Sequence, residues 1–140
     1  AGPESIREVV AALCPRRIGH GVRTAEDPGL LDRLIAEGVA FEVCPTSNVH
    51  LGVYTDFSQV PLPSLISAGA TVALSADDPL LFRSRLVEQY AQARDAFGLS
   101  DRELAGLARQ SIEASLAPSS SKLRWFARIE EWLAAPPAAA

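Results

Sequence analysis

Residues 71–81 read TVALSADDPLL, an apolar run that ends on two adjacent carboxylates and a proline. The run is β-rich and short, as a buried strand should be. The polar turn after it admits two readings. Asp is a good N-cap and Pro suits the first helical position, so Asp77-Asp78-Pro79 starts a helix. That accounts for one Asp. Two like charges side by side repel each other unless a cation or a ligand absorbs the charge, so the pair also reads as a binding site. The dipeptide by itself leaves both readings open.

Working outward, the same phase recurs twice upstream. RRIGHG (16–21) reads as a short strand ending on a Gly-flanked histidine, and VAFEVCP (39–45) as a strand bounded by Pro45. Gly19 and Gly21 serve equally as turn residues or as points of close ligand approach. Helical patterns separate the strands. PESIREVVAAL (3–13) spaces Ile6, Val9, Val10 and Leu13 on one face. DPGLLDRLIAEG (27–38) opens on Asp27-Pro28 and stops at Gly38. SNVHLGVYTDFSQV (47–60) has no clean period and reads as a loop; PLPSLISAGA (61–70) reads as a short helix. After the third strand the pattern is all helix. Phe82, Leu86, Tyr90, Ala93 and Phe97 form one stripe, with Pro79 opening the helix and Gly98 closing it. Ser100 and Glu103 make a capping box. Trp125, Phe126, Ile129, Trp132 and Leu133 are expected to form a buried face. The tail from 136 to 140 is expected to fray, leaving 1–135 as the domain.

Strand and helix in alternation indicate parallel βαβ units. In such sheets chemistry sits at the carboxyl ends of the strands. His20, the turn Cys44-Pro45-Thr46-Ser47-Asn48 and Asp77-Asp78 therefore face one side. A full eight-stranded barrel takes about 250 residues; 140 residues with three strands read as part of one.

Composition narrows the function. The net charge is -4 and the 13 basic residues are scattered, which argues against a nucleic-acid surface. No apolar stretch approaches the roughly 20 residues of a membrane span, and no signal segment opens the chain. Cys14 and Cys44 form no Cys-x-x-Cys pair, so a thiolate zinc site is not expected, and a reduced, cytoplasmic setting is. Cys44 reads as a small buried apolar group, because no basic neighbour lowers its pKa. His50 is expected to be exposed.

The motifs together resemble the adenosine deaminase family. RIGHG (17–21) matches its strand-six signature, EVCPTSN (42–48) the next strand end, and SADDP (75–79) the strand-eight signature. AGPESI (1–6) is similar to the stretch after the family's His-Ala-Gly-Glu motif, and RQSIEASLAP (109–118) to the helix following strand eight. The resemblance implies a zinc-dependent purine deaminase on a TIM-type (β/α)8 barrel, of which this α/β chain is the carboxyl-terminal portion with about three parallel strands and flanking helices. It implies that Asp77 is a zinc ligand, that Asp78 binds a purine ring nitrogen, and that His20 holds the hydroxide. The family's other ligands, a His-x-His pair and a further His, and its proton-donating Glu have no counterpart here; His50 matches no ligand position, and Val60-Pro61 replaces a His-Pro found in many members. The missing amino-terminal part of the barrel is therefore an expected partner, and the chain alone is expected to be inactive. The substrate is a purine nucleoside or base: adenosine, adenine, or a modified adenosine such as aminodeoxyfutalosine. A non-catalytic α/β fragment, with Asp77 and Asp78 as helix caps, is the competing reading.

Overall fold

The structure, a computed structural model, describes residues 2–135; the expected fraying of 136–140 lies outside them. Three strands, β1 (Arg17–Gly19), β2 (Ala40–Val43) and β3 (Thr71–Leu74), form a parallel sheet in the order β1-β2-β3. Helix α1 (Pro3–Leu13) precedes it, α2 (Pro28–Ala36) joins β1 to β2, and α3 (Pro45–His50) and α4 (Leu62–Ser67) join β2 to β3. Helices α5 (Leu86–Phe97), α6 (Asp101–Ala114) and α7 (Ser119–Ala134) complete the chain order.

The register decides which residues share a face. Ile18, Phe41 and Val72 lie opposite one another, as do Val43 and Leu74. All five pack in the core with Leu30, Leu34, Leu62 and Leu65. Full burial of such a side chain contributes roughly 1.5–3 kcal/mol, so apolar contact seats α2 and α4 more than their caps do. Side chains alternate along a strand. Arg17, Gly19, Glu42 and Ala73 therefore turn to the opposite face, where Arg17 and Glu42 form an ion pair. At β3 the sheet is tied to α6: Gln110 Oε1 accepts the Val72 amide at 2.8 Å, one way to blunt an open edge.

Three expectations are corrected. Residues 45–50 are helical although 47–60 reads as a loop. Ser47 and Asn48 are buried positions of α3, so polar residues occupy the inward face and the apolar period is inverted. Pro79 opens only one turn, closed by the Phe82 amide on the Asp78 carbonyl at 3.0 Å. Arg83 then breaks the path with φ 50°, and α5 starts at Leu86. Phe82 is buried before the helix starts and stacks on the exposed His50 at 5.7 Å, so the stripe runs through a break that periodicity does not register. The aromatic face of α7 is not buried either: Trp125 is 41% exposed and Trp132 50%. That helix rests on α6, with Phe126 beneath the Arg109 guanidinium at 4.7 Å. The capping box of Ser100 and Glu103 forms as expected.

Candidate active site

Each strand end delivers one group to the same place. At the end of β1 the His20 amide donates to the Glu42 carbonyl at 2.9 Å. His20 then adopts φ 59° and Gly21 φ 64°. Two left-handed residues in succession reverse the chain and turn the imidazole across the sheet end. A non-glycine residue held at positive φ is strained and is often found where function demands it. Gly21 has a second constraint, since a Cβ there would come 2.8 Å from Phe41 Cδ1. The positive φ and this contact both require a glycine here. Gly21→Ala is expected to destabilise the full-length protein by about 1–3 kcal/mol, as overpacking does, and to lower kcat by moving His20. Chemical denaturation measures the first effect; an unchanged midpoint would show that Phe41 gives way freely.

At the end of β2, Cys44 caps α3 and Pro45 opens it. The Cys44 thiol donates to the Glu42 carbonyl at 3.3 Å. Burial, opposed by a hydrogen bond with Ser75 and reinforced by the Asp77 and Glu42 charges, pushes its pKa up to about 11. It is a protonated wall of the site, in keeping with the sequence reading. Helix α3 is fixed by the buried Gln89 of α5, which accepts the Thr46 amide at 3.2 Å and donates to Thr46 Oγ1 and Ser84 Oγ, both at 2.6 Å. This network aims Ser47 and Asn48 back under the strand ends.

At the end of β3, the Ser75 amide donates to the Val43 carbonyl at 2.8 Å, and Asp77 takes φ 59° with its amide on Ser75 Oγ. Its Oδ2 accepts from Ser47 Oγ at 2.7 Å. His20 Nδ1 lies 2.9 Å from Asn48 Oδ1, and His20 Nε2 lies 3.5 Å from Asp77 Oδ2. An amide oxygen only accepts, so the proton of the neutral imidazole sits on Nδ1 and the lone pair on Nε2. An imidazolium would pair with Asp77; in the neutral form Nε2 and the carboxylate oxygen are two acceptors aimed at each other beyond hydrogen-bond distance. Such a pair is stabilised by a shared cation or by the protons of a water.

The two aspartates part ways. Asp77 faces His20. Asp78 Oδ1 caps the turn, accepting the Leu80 and Leu81 amides at 2.9 and 2.8 Å. Among the described residues no hydrogen bond reaches Asp78 Oδ2. Asp78 therefore fills the capping reading, while Asp77 stands beside His20. His20, Cys44 and Asp77 also place their ligand atoms within 4.8 Å of one another. Asp77 offers zinc an anionic carboxylate oxygen, while the Cys44 thiol is protonated and the His20 nitrogen faces the same point without being needed as a ligand. The sequence places Ser47 and Asn48 only in the turn after the second strand. Their contacts with Asp77 and His20 arise from α3, which carries no apolar period to betray it.

Residues 1–132 match the adenosine deaminase family. The chain belongs to that family. A Streptomyces coelicolor relative, provisionally named an adenosine/adenine deaminase, is 54% identical over 96% of this chain and 39% of the relative. An adenine deaminase of Agrobacterium fabrum is 43% identical over 91% of this chain and 39% of its own length. The crystal structure of adenine deaminase from Arthrobacter aurescens superposes with a TM-score of 0.92 at 33% identity, covering 96% of this chain and 41% of that one. The chain thus spans about two-fifths of the length of the curated relatives it matches. Its three strands and helices are the carboxyl-terminal part of the family's TIM-type barrel. Among the described residues no helix is long and apolar enough to cross a membrane.

Proposed function

We propose that the full-length protein carrying this chain is a zinc-dependent hydrolytic deaminase that replaces the amino group of adenine by a keto group. The observation that carries this reading is the meeting of His20 Nε2 and Asp77 Oδ2, 3.5 Å apart, at the ends of β1 and β3. Zinc, when bound, lowers the pKa of water to about 7 and so makes a hydroxide nucleophile available at neutral pH. Asp77 supplies an anionic oxygen to the metal and is kept in place by Ser47. His20 takes a proton from the attacking water at Nε2, with its ring fixed through Nδ1. Asp78 Oδ2, left over from the turn, hydrogen-bonds a ring nitrogen of the purine. In the overall reaction water oxygen bonds to the purine carbon, the bond from that carbon to the exocyclic nitrogen breaks, and ammonia leaves. A metal holding three protein ligands in a catalytic site draws the others from the amino-terminal part of the barrel.

The free base is favoured over its nucleoside by the names of the Agrobacterium and Arthrobacter relatives, both adenine deaminases. Ammonia release by the purified full-length protein tests this. Adenine is expected to be the better substrate, and adenosine the poorer. A higher kcat/KM for adenosine would reverse the assignment, and no release from any aminopurine would end it. The 140-residue chain alone, with Asp77 as its one expected metal ligand, is expected to be inactive and, with β1 open at one edge, to self-associate. Deamination above background by this chain with added zinc would show that a residue read as structural is a ligand.

A further inference from the structure

Asn48 is 1% exposed, yet its side-chain amide is only half used. Oδ1 meets His20 Nδ1 at 2.9 Å, while Nδ2 is buried without a partner among the described residues. A buried polar group that satisfies only half its capacity is disfavoured in a core. An apolar residue of similar size would fill the same place without that orphan. What the amide adds is the contact with His20. Ring orientation and tautomer of a histidine are set by the bond made at its other nitrogen.

Resting on the deaminase reading, we infer that Asn48 is a positioning residue that holds His20 in the tautomer with the proton on Nδ1 and the lone pair on Nε2. Asn48 sits buried behind the imidazole. It acts through the imidazole, as Ser47 acts through Asp77 on the same helix. Two consecutive residues of α3 thus orient the two groups that meet at the strand ends, and Gln89 fixes the helix that carries both. Without the amide, neutral His20 would distribute its proton over both nitrogens. The form with Nε2 protonated could not accept a proton from water there.

The test is made in the full-length protein. Asn48→Leu is expected to lower kcat by roughly 10–100-fold, on the order of what misplacing a reacting group costs, with KM and metal content unchanged. Asn48→Asp keeps an acceptor against Nδ1 and is expected to restore most of that loss. Added to His20→Ala, Asn48→Leu should cost nothing further, because its effect runs through the ring it no longer orients. A reading apart from activity is the nitrogen NMR shift of the His20 imidazole: Nδ1 protonated in the unaltered protein, mixed tautomers in Asn48→Leu. Wild-type kcat in Asn48→Leu, a full additive loss on His20→Ala, or an Nε2-protonated ring in the unaltered protein would each overturn the inference. If Asn48→Leu does not fold, the tautomer of the unaltered protein still decides. Near wild-type kcat in His20→Ala would instead bring down the role given to His20, while the nitrogen shifts still pass or fail the Asn48 contact.

Discussion

Changing Asp77 to asparagine is expected to strip zinc from the full-length protein and, with it, its turnover. A neutral amide oxygen is a poor replacement for an anionic ligand, and metal affinity depends on that charge. The surrounding residues give the amide no other way to compensate. Ser47 is neutral and replaces no charge, and His20 Nε2 at 3.5 Å, an acceptor in the tautomer that Asn48 imposes, would take an amide N–H and so be withdrawn from the site. The loss should exceed the roughly 10–100-fold expected from removing a group behind a ligand. Asp78→Asn is the matched control. Asparagine caps a turn nearly as well as aspartate, so the loop through Leu80 and Leu81 should persist. Zinc content should stay, with turnover slowed by weaker hold on the purine ring. Metal analysis of the two variants separates the roles: equal loss of zinc in both would show that the carboxylates share one.

Removing the imidazole is the second large change. His20→Ala is expected to lower kcat by about 10²–10³-fold, the range for losing one preorganised stabilising group, with zinc still bound. His20 is held at φ 59°, where a side chain is strained. His20→Gly relieves that strain while removing the same ring. The two variants should therefore show the same fall in kcat, with the glycine variant unfolding at the higher temperature. A fall in kcat confined to His20→Ala would mean that the backbone turn, and not the imidazole, is what the reaction needs. Near wild-type kcat in both would remove His20 from the chemistry.

Much of this molecule is legible in its sequence. The alternation of apolar strand, punctuated turn and capped helix is local chemistry: Asp27 and Pro28 open α2 wherever that segment is placed, since the Asp27 carboxylate accepts the Leu30 amide at 3.0 Å. Parallel strands are implied by the helices between them, and the carboxyl-end rule then puts His20, Cys44 and Asp77 on one side. None of that needs tertiary contacts. The sequence misleads at each place where burial and polarity part company. Helix α3 turns Ser47 and Asn48 inward, and a search for apolar periodicity passes over a helix whose inner face is polar. Phe82 belongs to the α5 stripe by spacing but is set apart by the left-handed Arg83. Trp125 and Trp132 have the composition of a core face but lie on a helix that packs mainly on α6 among the described elements.

The sequence by itself determined the class of the fold and the strand ends as the place where the candidate site gathers. Tertiary structure decided their division of labour. Asp77 and Asp78 are adjacent in the chain, yet the left-handed turn at Asp77 sends one carboxylate to His20 and leaves the other to cap a turn. Asn48 and His20 are 28 residues apart and meet only because α3 is clamped beneath the strand ends. Period and composition are properties of neighbours along the chain. A hydrogen bond between two strand ends is a property of the packing that brings them together, and no local pattern carries it.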